Sequence, residues 1–86
     1  MNKLHEILEP YAKILDLAIQ NKYNRTQVHL TVTSETKVDE KMALSHLFNI
    51  YYNNLRRWGC IETNRRIVEI TPEGKRFREC LEEIGI

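Results

Sequence analysis

Apolar residues recur at helical spacing in the middle of the chain and then stop at a glycine. Positions three and four apart share one face of a helix, so the repeat predicts an amphipathic helix over residues 38–58, which Gly59 should end. Its apolar positions are Leu44, Leu47, Phe48, Tyr51, Leu55 and Trp58. We expect the aromatic rings of this stripe to lie in the core. Tyr52 lies off the stripe and is the aromatic residue expected to contact a partner.

A second apolar stripe, over residues 4–19, predicts a core helix. Its positions are Leu4, Ile7, Leu8, Tyr11, Leu15 and Ala18, widened by Ile14 and Ile19. Pro10 interrupts the stripe. Because proline inside a helix removes a hydrogen bond but is well tolerated at the first position, we expect the main helix to begin at Pro10. Residues 2–8 would then form a separate turn or a kinked extension.

Residues 25–33 fit two interpretations. Val28, Leu30 and Val32 alternate as they would in a strand, and β-branched residues favour that conformation. Val28 and Val32 also lie one helical turn apart, and Asn24 is a good N-cap for a helix that starts at Arg25. We favour a short helix and keep the strand as the alternative.

Two short strand-like runs follow Gly59, over residues 60–63 and 66–70. They are separated by Asn64 and Arg65, and a two-residue break between such runs predicts a β-hairpin with a tight turn. Glu62 and Glu69 should face outward and pair with neighbouring arginines.

The last element is predicted to be a helix. Thr71 is a suitable N-cap, Pro72 suits the first helical position, and Glu73 places an acid in the first turn. The apolar side of this helix carries Phe77, Leu81 and Ile84. The predicted fold class is therefore α+β, mainly α, in a single domain over residues 1–86.

Composition narrows the class of protein. Hydrophobic residues make up 42% and charged residues 29% of the 86 residues, as in an ordinary folded domain. We expect no membrane segment and a cytoplasmic location, because no apolar run approaches the roughly 20 residues that cross a bilayer. Cys60 and Cys80 are expected to be free thiols. No spacing predicts a metal site or cofactor, and no catalytic motif indicates an enzyme.

The formal net charge of +1 says little about partners, but its distribution is informative. Residues 56–66 carry four arginines against the single acid Glu62. The arginines are Arg56, Arg57, Arg65 and Arg66. A local cluster of this kind is typical of a surface that meets a polyanion.

Two short segments carry a resemblance to a known family. Residues 54–62, Asn-Leu-Arg-Arg-Trp-Gly-Cys-Ile-Glu, look like the Leu-x-x-x-Gly-Leu-Ile-Glu junction after the recognition helix of winged helix-turn-helix regulators. Residues 70–77, Ile-Thr-Pro-Glu-Gly-Lys-Arg-Phe, are similar to the Ile-Thr-x-x-Gly-x-x-Phe step that leaves the wing. The chain is most similar to the small MarR-like and PadR-like regulators, including those of archaea and their viruses.

The resemblance implies a winged helix-turn-helix fold, with a short helix at 25–33, and a DNA-binding transcription regulator. The helix 38–58 would enter the major groove of double-stranded DNA, where asparagine can pair with adenine and arginine or lysine with guanine. The side chains expected on its reading face are Lys41, Ser45, His46, Asn49, Asn53, Arg56 and Arg57. The alternative for this face is an ordinary solvated helix surface.

The predicted hairpin, residues 60–70, corresponds to the wing in this resemblance. Arg65 and Arg66 at its tip would then reach phosphates or the minor groove. Alternatively, tip arginines keep an edge hairpin soluble. A winged helix can also act as a protein-interaction module without binding DNA, and that function remains the alternative for the whole chain.

The two ends of the chain carry more apolar surface than a small core readily covers. We therefore expect a homodimer built from residues 1–9 and 72–86. Two-fold symmetry would present two recognition helices to half-sites about one turn of DNA apart.

Overall fold

The computed structural model describes residues 3–34 and 38–86, with side chains described over 3–34 and 47–86. The described chain is mainly helical with a two-stranded antiparallel sheet, which confirms the predicted α+β, mainly α class. None of its described helices is long and apolar enough to cross a membrane. The elements are α1 (Lys3–Ile19), α2 (Arg25–Ser34), α3 (Val38–Arg57), β1 (Ile61–Asn64), β2 (Ile67–Ile70) and α4 (Pro72–Glu83).

Helix α1 runs without interruption through Pro10, so the prediction that the helix begins there is wrong. Proline costs one backbone hydrogen bond inside a helix. The turns on both sides of it are held by packing, because Leu8 lies against the core and Tyr11 is buried in it. Packing on both sides of Pro10 therefore supports the continuous helix.

The ambiguous stretch 25–33 lies in helix α2, so the helix interpretation is confirmed and the strand is wrong. Asn24 caps it in a reciprocal pair: its Oδ1 accepts from the N–H of Gln27 at 2.8 Å, and the Oε1 of Gln27 accepts from the N–H of Asn24 at 2.9 Å. Val28 and Val32 are both fully buried, whereas Leu30 is 62% exposed. That pattern is the helical one, with burial repeating every four residues.

The residues just before α2 also contact the hairpin. The N–H of Val68 donates to the carbonyl of Tyr23 at 2.8 Å, and Asn24 forms an isolated antiparallel bridge with Ile67. The segment 23–24, which precedes and caps α2, thus pairs with β2 as a short third strand would. This contact ties the start of α2 to β2, which lies between that segment and β1.

The hairpin is confirmed, but its turn lies one residue later than predicted. Asn64 pairs with Ile67, so the two loop residues are Arg65 and Arg66 rather than Asn64 and Arg65. Both arginines have positive φ, at 51° and 70°, as in a type I′ turn. The right-handed twist of the strands favours this turn type even though arginine is an unusual residue for it.

The buried face of α3 is wider than the sequence predicted. Phe48 and Leu55 are buried as expected, but so is Tyr52, which is only 1% exposed, while Trp58 is 51% exposed. The predictions that Tyr52 lies outside the core and that Trp58 lies in it are therefore both wrong, because the sequence does not show which elements cover α3. Helix α3 is covered by α1 on one side and by α2 and the hairpin on the other, and Tyr52 lies on the second side. Trp58 lies beyond the edge of the core.

Helix α3 ends in a Schellman motif, as the glycine predicted. Gly59 has φ 73°, its N–H donates to the carbonyl of Arg56, and the N–H of Cys60 donates to the carbonyl of Leu55 at 2.8 Å. The N–H of Thr71 then donates to the carbonyl of Cys60 at 3.0 Å. The chain therefore returns from the hairpin to the point at which it left α3.

Helix α4 begins as predicted, with Thr71 as N-cap accepting from the N–H of Gly74 at 3.1 Å and Pro72 in the first turn. Gly74 packs tightly on the junction after α3. A Cβ added there would lie 2.1 Å from the carbonyl oxygen of Cys60 and 2.7 Å from Cγ1 of Ile70. Only glycine lets α4 approach the backbone this closely.

Gly74→Ala should destabilise the fold, although alanine normally favours a helix by up to about 1 kcal/mol over glycine. Because the added methyl meets backbone, we expect a net loss of about 1–3 kcal/mol, measured by urea unfolding. Gly59→Ala is the control, since a Cβ there meets nothing within 4 Å and its cost comes from the positive φ alone. A gain in stability for Gly74→Ala, as the helix preference of alanine alone would give, would contradict the proposed close packing.

Candidate nucleic-acid interface

The predicted reading face of α3 is exposed wherever its side chains are described. Asn49, Asn53, Arg56 and Arg57 all lie on the surface. Lys41, Ser45 and His46 also belong to the predicted face, but their side chains lie outside the described residues. Asn49, Asn53 and Arg56 follow one another at intervals of four and three residues, so they form one polar row along the helix.

Tyr52 connects this polar row to the hairpin. Its hydroxyl lies 3.4 Å from Oγ1 of Thr63, which is the residue before Asn64 at the end of β1. On α3, Tyr52 neighbours both Asn49 and Arg56, three and four residues away. Thr63, two residues before the turn, therefore lies beside the flank of α3 that adjoins the polar row.

Arg65 and Arg66 occupy that turn, and both are exposed. L-residues with side chains adopt the left-handed conformation at a cost of roughly 1–2 kcal/mol each, and asparagine or glycine would reduce this cost. The turn thus carries two cations in a conformation that other residue types adopt more easily. Strain of this kind is often found where a side chain is needed for binding.

Arg25 is a residue of this surface that the sequence analysis did not identify. Its guanidinium donates to Oδ1 of Asn49, and its Cζ lies 5.0 Å from the ring centroid of Tyr52 and 6.0 Å from that of Phe48. The cap at Asn24 was the available signal, because it fixes Arg25 at the first position of α2. The sequence alone could not predict that α2 packs against α3 so that Arg25 contacts Asn49.

The charges of the surface have an ordinary structural explanation beside the functional one. Arg56 and Arg57 lie in the last turn of α3, where cations stabilise the helix through its dipole.

Glu62 and Glu69 lie directly opposite each other across the hairpin. Within the described side chains neither pairs with an arginine, so that expectation is wrong; the ion pairs found there are Lys13–Glu9 and Arg78–Asp16, and both involve α1.

The cysteines differ in environment, and both are free thiols as predicted. Cys60 is buried after α3, and burial, followed by the nearby carboxylate of Glu73, raises the pKa of its thiol. Cys80 is exposed on α4. Among the described residues no group of three or more His, Cys, Asp or Glu side chains is placed to hold a metal ion.

An aromatic cluster joins α1, α4 and the end of α3. The ring of Trp58 lies 5.6 Å from that of Tyr11 and 6.2 Å from that of Phe77. The predicted dimer segments also carry exposed apolar side chains. Leu4, Ile7 and Ile84 are each about half exposed, like Trp58 itself. We call Leu4, Ile7, Trp58 and Ile84 the apolar patch.

Two residues predicted for the dimer surface belong instead to the core of the chain. Leu81 is 2% exposed, and Phe77 is partly buried against the core. They cover α1 rather than a partner. Trp58 of the apolar patch, directly after α3, lies on a different side of that helix from the polar row: at 3.6 residues per turn, its position is about 140° around the helix axis from Asn53.

Comparisons with protein-family models, with curated proteins and with solved structures found no match to this chain.

Replacing Arg65 and Arg66 by Asn and Gly should stabilise the protein, because these residues adopt positive φ more easily. We expect a gain of roughly 1 kcal/mol and a rise in Tm of about 4–8 °C, measured by thermal unfolding followed by circular dichroism. Lys75→Ala with Arg76→Ala on α4 removes the same charge without touching the turn, and it should leave Tm nearly unchanged. A lower Tm for the Asn-Gly variant would show that the arginines stabilise the hairpin.

Proposed function

We propose that this chain is a winged helix-turn-helix protein that binds double-stranded DNA as a homodimer and regulates transcription in the cytoplasm. Helix α3 enters the major groove, and the hairpin contacts the backbone or the minor groove. The observation that carries this proposal is the contact between Tyr52 and Thr63, because it joins the end of β1, next to the cationic turn, to a residue of α3 that neighbours the polar row.

The order of the elements supports the fold assignment. Three helices precede a hairpin and a further helix, and the segment 23–24 between α1 and α2 pairs with the hairpin as a short third strand would. A short strand in that place fits the layout of winged helices. It also fixes the hairpin against the start of α2.

The cost of the turn supports a binding role for its arginines. Cations elsewhere on the hairpin would keep it soluble, so solubility does not explain why arginines occupy the two turn positions at which they adopt positive φ at a cost. Electrostatic binding to phosphates does require cations that extend from the surface. The strained turn is therefore better explained by DNA contact than by solubility.

The second candidate function is a protein-interaction module. Glu62 and Glu69, which lie opposite each other on β1 and β2, favour this function, because their two negative charges would repel the phosphates of DNA. DNA binding requires that these side chains face away from the duplex.

Salt dependence distinguishes the two functions. The wild-type protein should bind a random-sequence duplex with an affinity that falls steeply as salt rises, because each phosphate contact releases counterions. The Asn-Gly variant at 65 and 66 should flatten the slope of log affinity against log salt by about two units, since about 0.9 is lost per phosphate contact. Fluorescence anisotropy measures both slopes.

The control for this titration is Lys75→Ala with Arg76→Ala, which removes two cations from α4 and should keep the wild-type slope. Equal slopes for the Asn-Gly variant and the wild type would exclude the hairpin from the interface. Failure of the wild-type protein to bind any duplex would favour the interaction module.

The apolar patch supports the homodimer, because its four large apolar side chains are each about half exposed and one of them, Trp58, belongs to the aromatic cluster. Sedimentation should give twice the chain mass of 10.3 kDa for the wild type, and Ile7→Lys should give the monomer. Leu30→Lys is the matched control, since Leu30 is also exposed but lies on α2, and it should leave the dimer intact. A dimeric Ile7→Lys protein would place the interface elsewhere.

A further inference from the structure

Arg25 and Asn49 form a pair on the proposed DNA-binding surface. The guanidinium of Arg25 donates to Oδ1 of Asn49. Arginine has only N–H donors, so the oxygen of the amide, and not its nitrogen, must face Arg25. The orientation of the Asn49 amide is therefore fixed before any ligand binds.

The pair is held by more than one contact. The guanidinium of Arg25 also lies over the ring of Tyr52, with 5.0 Å between its Cζ and the ring centroid, and Tyr52 is buried. Phe48 is the second ring beneath it, at 6.0 Å. Cation–π contacts with buried rings restrict a side chain that would otherwise be mobile on the surface. Arg25 is thus a positioning residue for Asn49.

The fixed orientation decides which hydrogen-bonding groups the pair presents. The Nδ2 of Asn49 keeps two N–H donors, and Arg25 keeps the remaining donors of its guanidinium. The second lone pair of the Asn49 oxygen lies beside a cation. Donors therefore dominate this surface, and a partner group that is itself a donor would be repelled.

This arrangement differs from the pairing expected from the sequence. An asparagine that reads adenine in the major groove donates to N7 and accepts from the N6 amino group. Guanine presents two acceptors there, N7 and O6, and cytosine presents a donor. Of the four bases, guanine offers the most acceptors to a pair that can mainly donate.

We propose that Arg25 and Asn49 together select a guanine in the major groove, with Arg25 holding the amide of Asn49 in an orientation that favours two acceptors over the acceptor and donor of adenine. This inference rests on the proposed DNA-binding function. It assigns a specificity-determining role to Arg25, outside the helix predicted to read the bases.

The test is selection of bound duplexes from a random-sequence pool by the wild type, Arg25→Lys, Asn49→Ala and Arg76→Lys. The wild type should require a G·C pair at one position of each half-site. Replacing that pair by A·T should weaken its binding roughly 5- to 150-fold, as for other bidentate contacts. Arg25→Lys keeps the charge but loses the planar fork and much of the stacking, so it should lose this requirement with little change in salt slope.

Asn49→Ala should lose the requirement at the same position, which keeps the test valid if one variant folds poorly by circular dichroism. Arg76→Lys makes the same substitution on α4 and should select the wild-type sequence. If Arg25→Lys and Asn49→Ala select the same guanine as the wild type, the inference is wrong while DNA binding stands. If the wild type selects no sequence, both the inference and sequence-specific DNA binding are wrong.

Discussion

The side chain of Tyr52 lies where three parts of the molecule meet. It is buried on α3, its ring lies 5.7 Å from that of Phe48, its hydroxyl approaches Thr63 of the hairpin, and Arg25 of α2 covers its ring. A buried tyrosine contributes both apolar area and a hydroxyl that needs a polar partner. These two requirements together set where α2 and the hairpin lie relative to α3, and so they set which polar side chains share one surface.

A second constraint acts at the base of the hairpin. The carbonyl of Cys60 accepts from Thr71, and Gly74 packs against the same carbonyl. The two ends of the hairpin therefore meet at Cys60, between the end of α3 and the start of α4, and the hairpin extends from this junction. Its tip position follows from the junction after α3 together with the pairing at Tyr23 and Asn24.

Local sequence rules predicted the elements whose ends depend on local chemistry. The caps at Asn24 and Thr71 and the glycine after α3 act within five residues, so the sequence alone identifies them. The sequence did not predict the burial of Tyr52 or the exposure of Trp58, because an apolar stripe does not tell which neighbouring elements cover its two edges. The contact between Arg25 and Asn49 spans 24 residues and depends on how α2 packs on α3. The position of the turn was missed because two arginines give no signal for a type I′ turn.

The central claim is that α3, the start of α2 and the tip of the hairpin form one DNA-binding surface. Amide chemical shifts of the labelled protein, followed by NMR during titration with duplex DNA, test this claim most directly. The account predicts that the largest changes cluster at residues 25, 49–53 and 63–66, while residues 4–8 and 79–84 change little. Changes concentrated in the second set, or no change at saturating duplex, would contradict it.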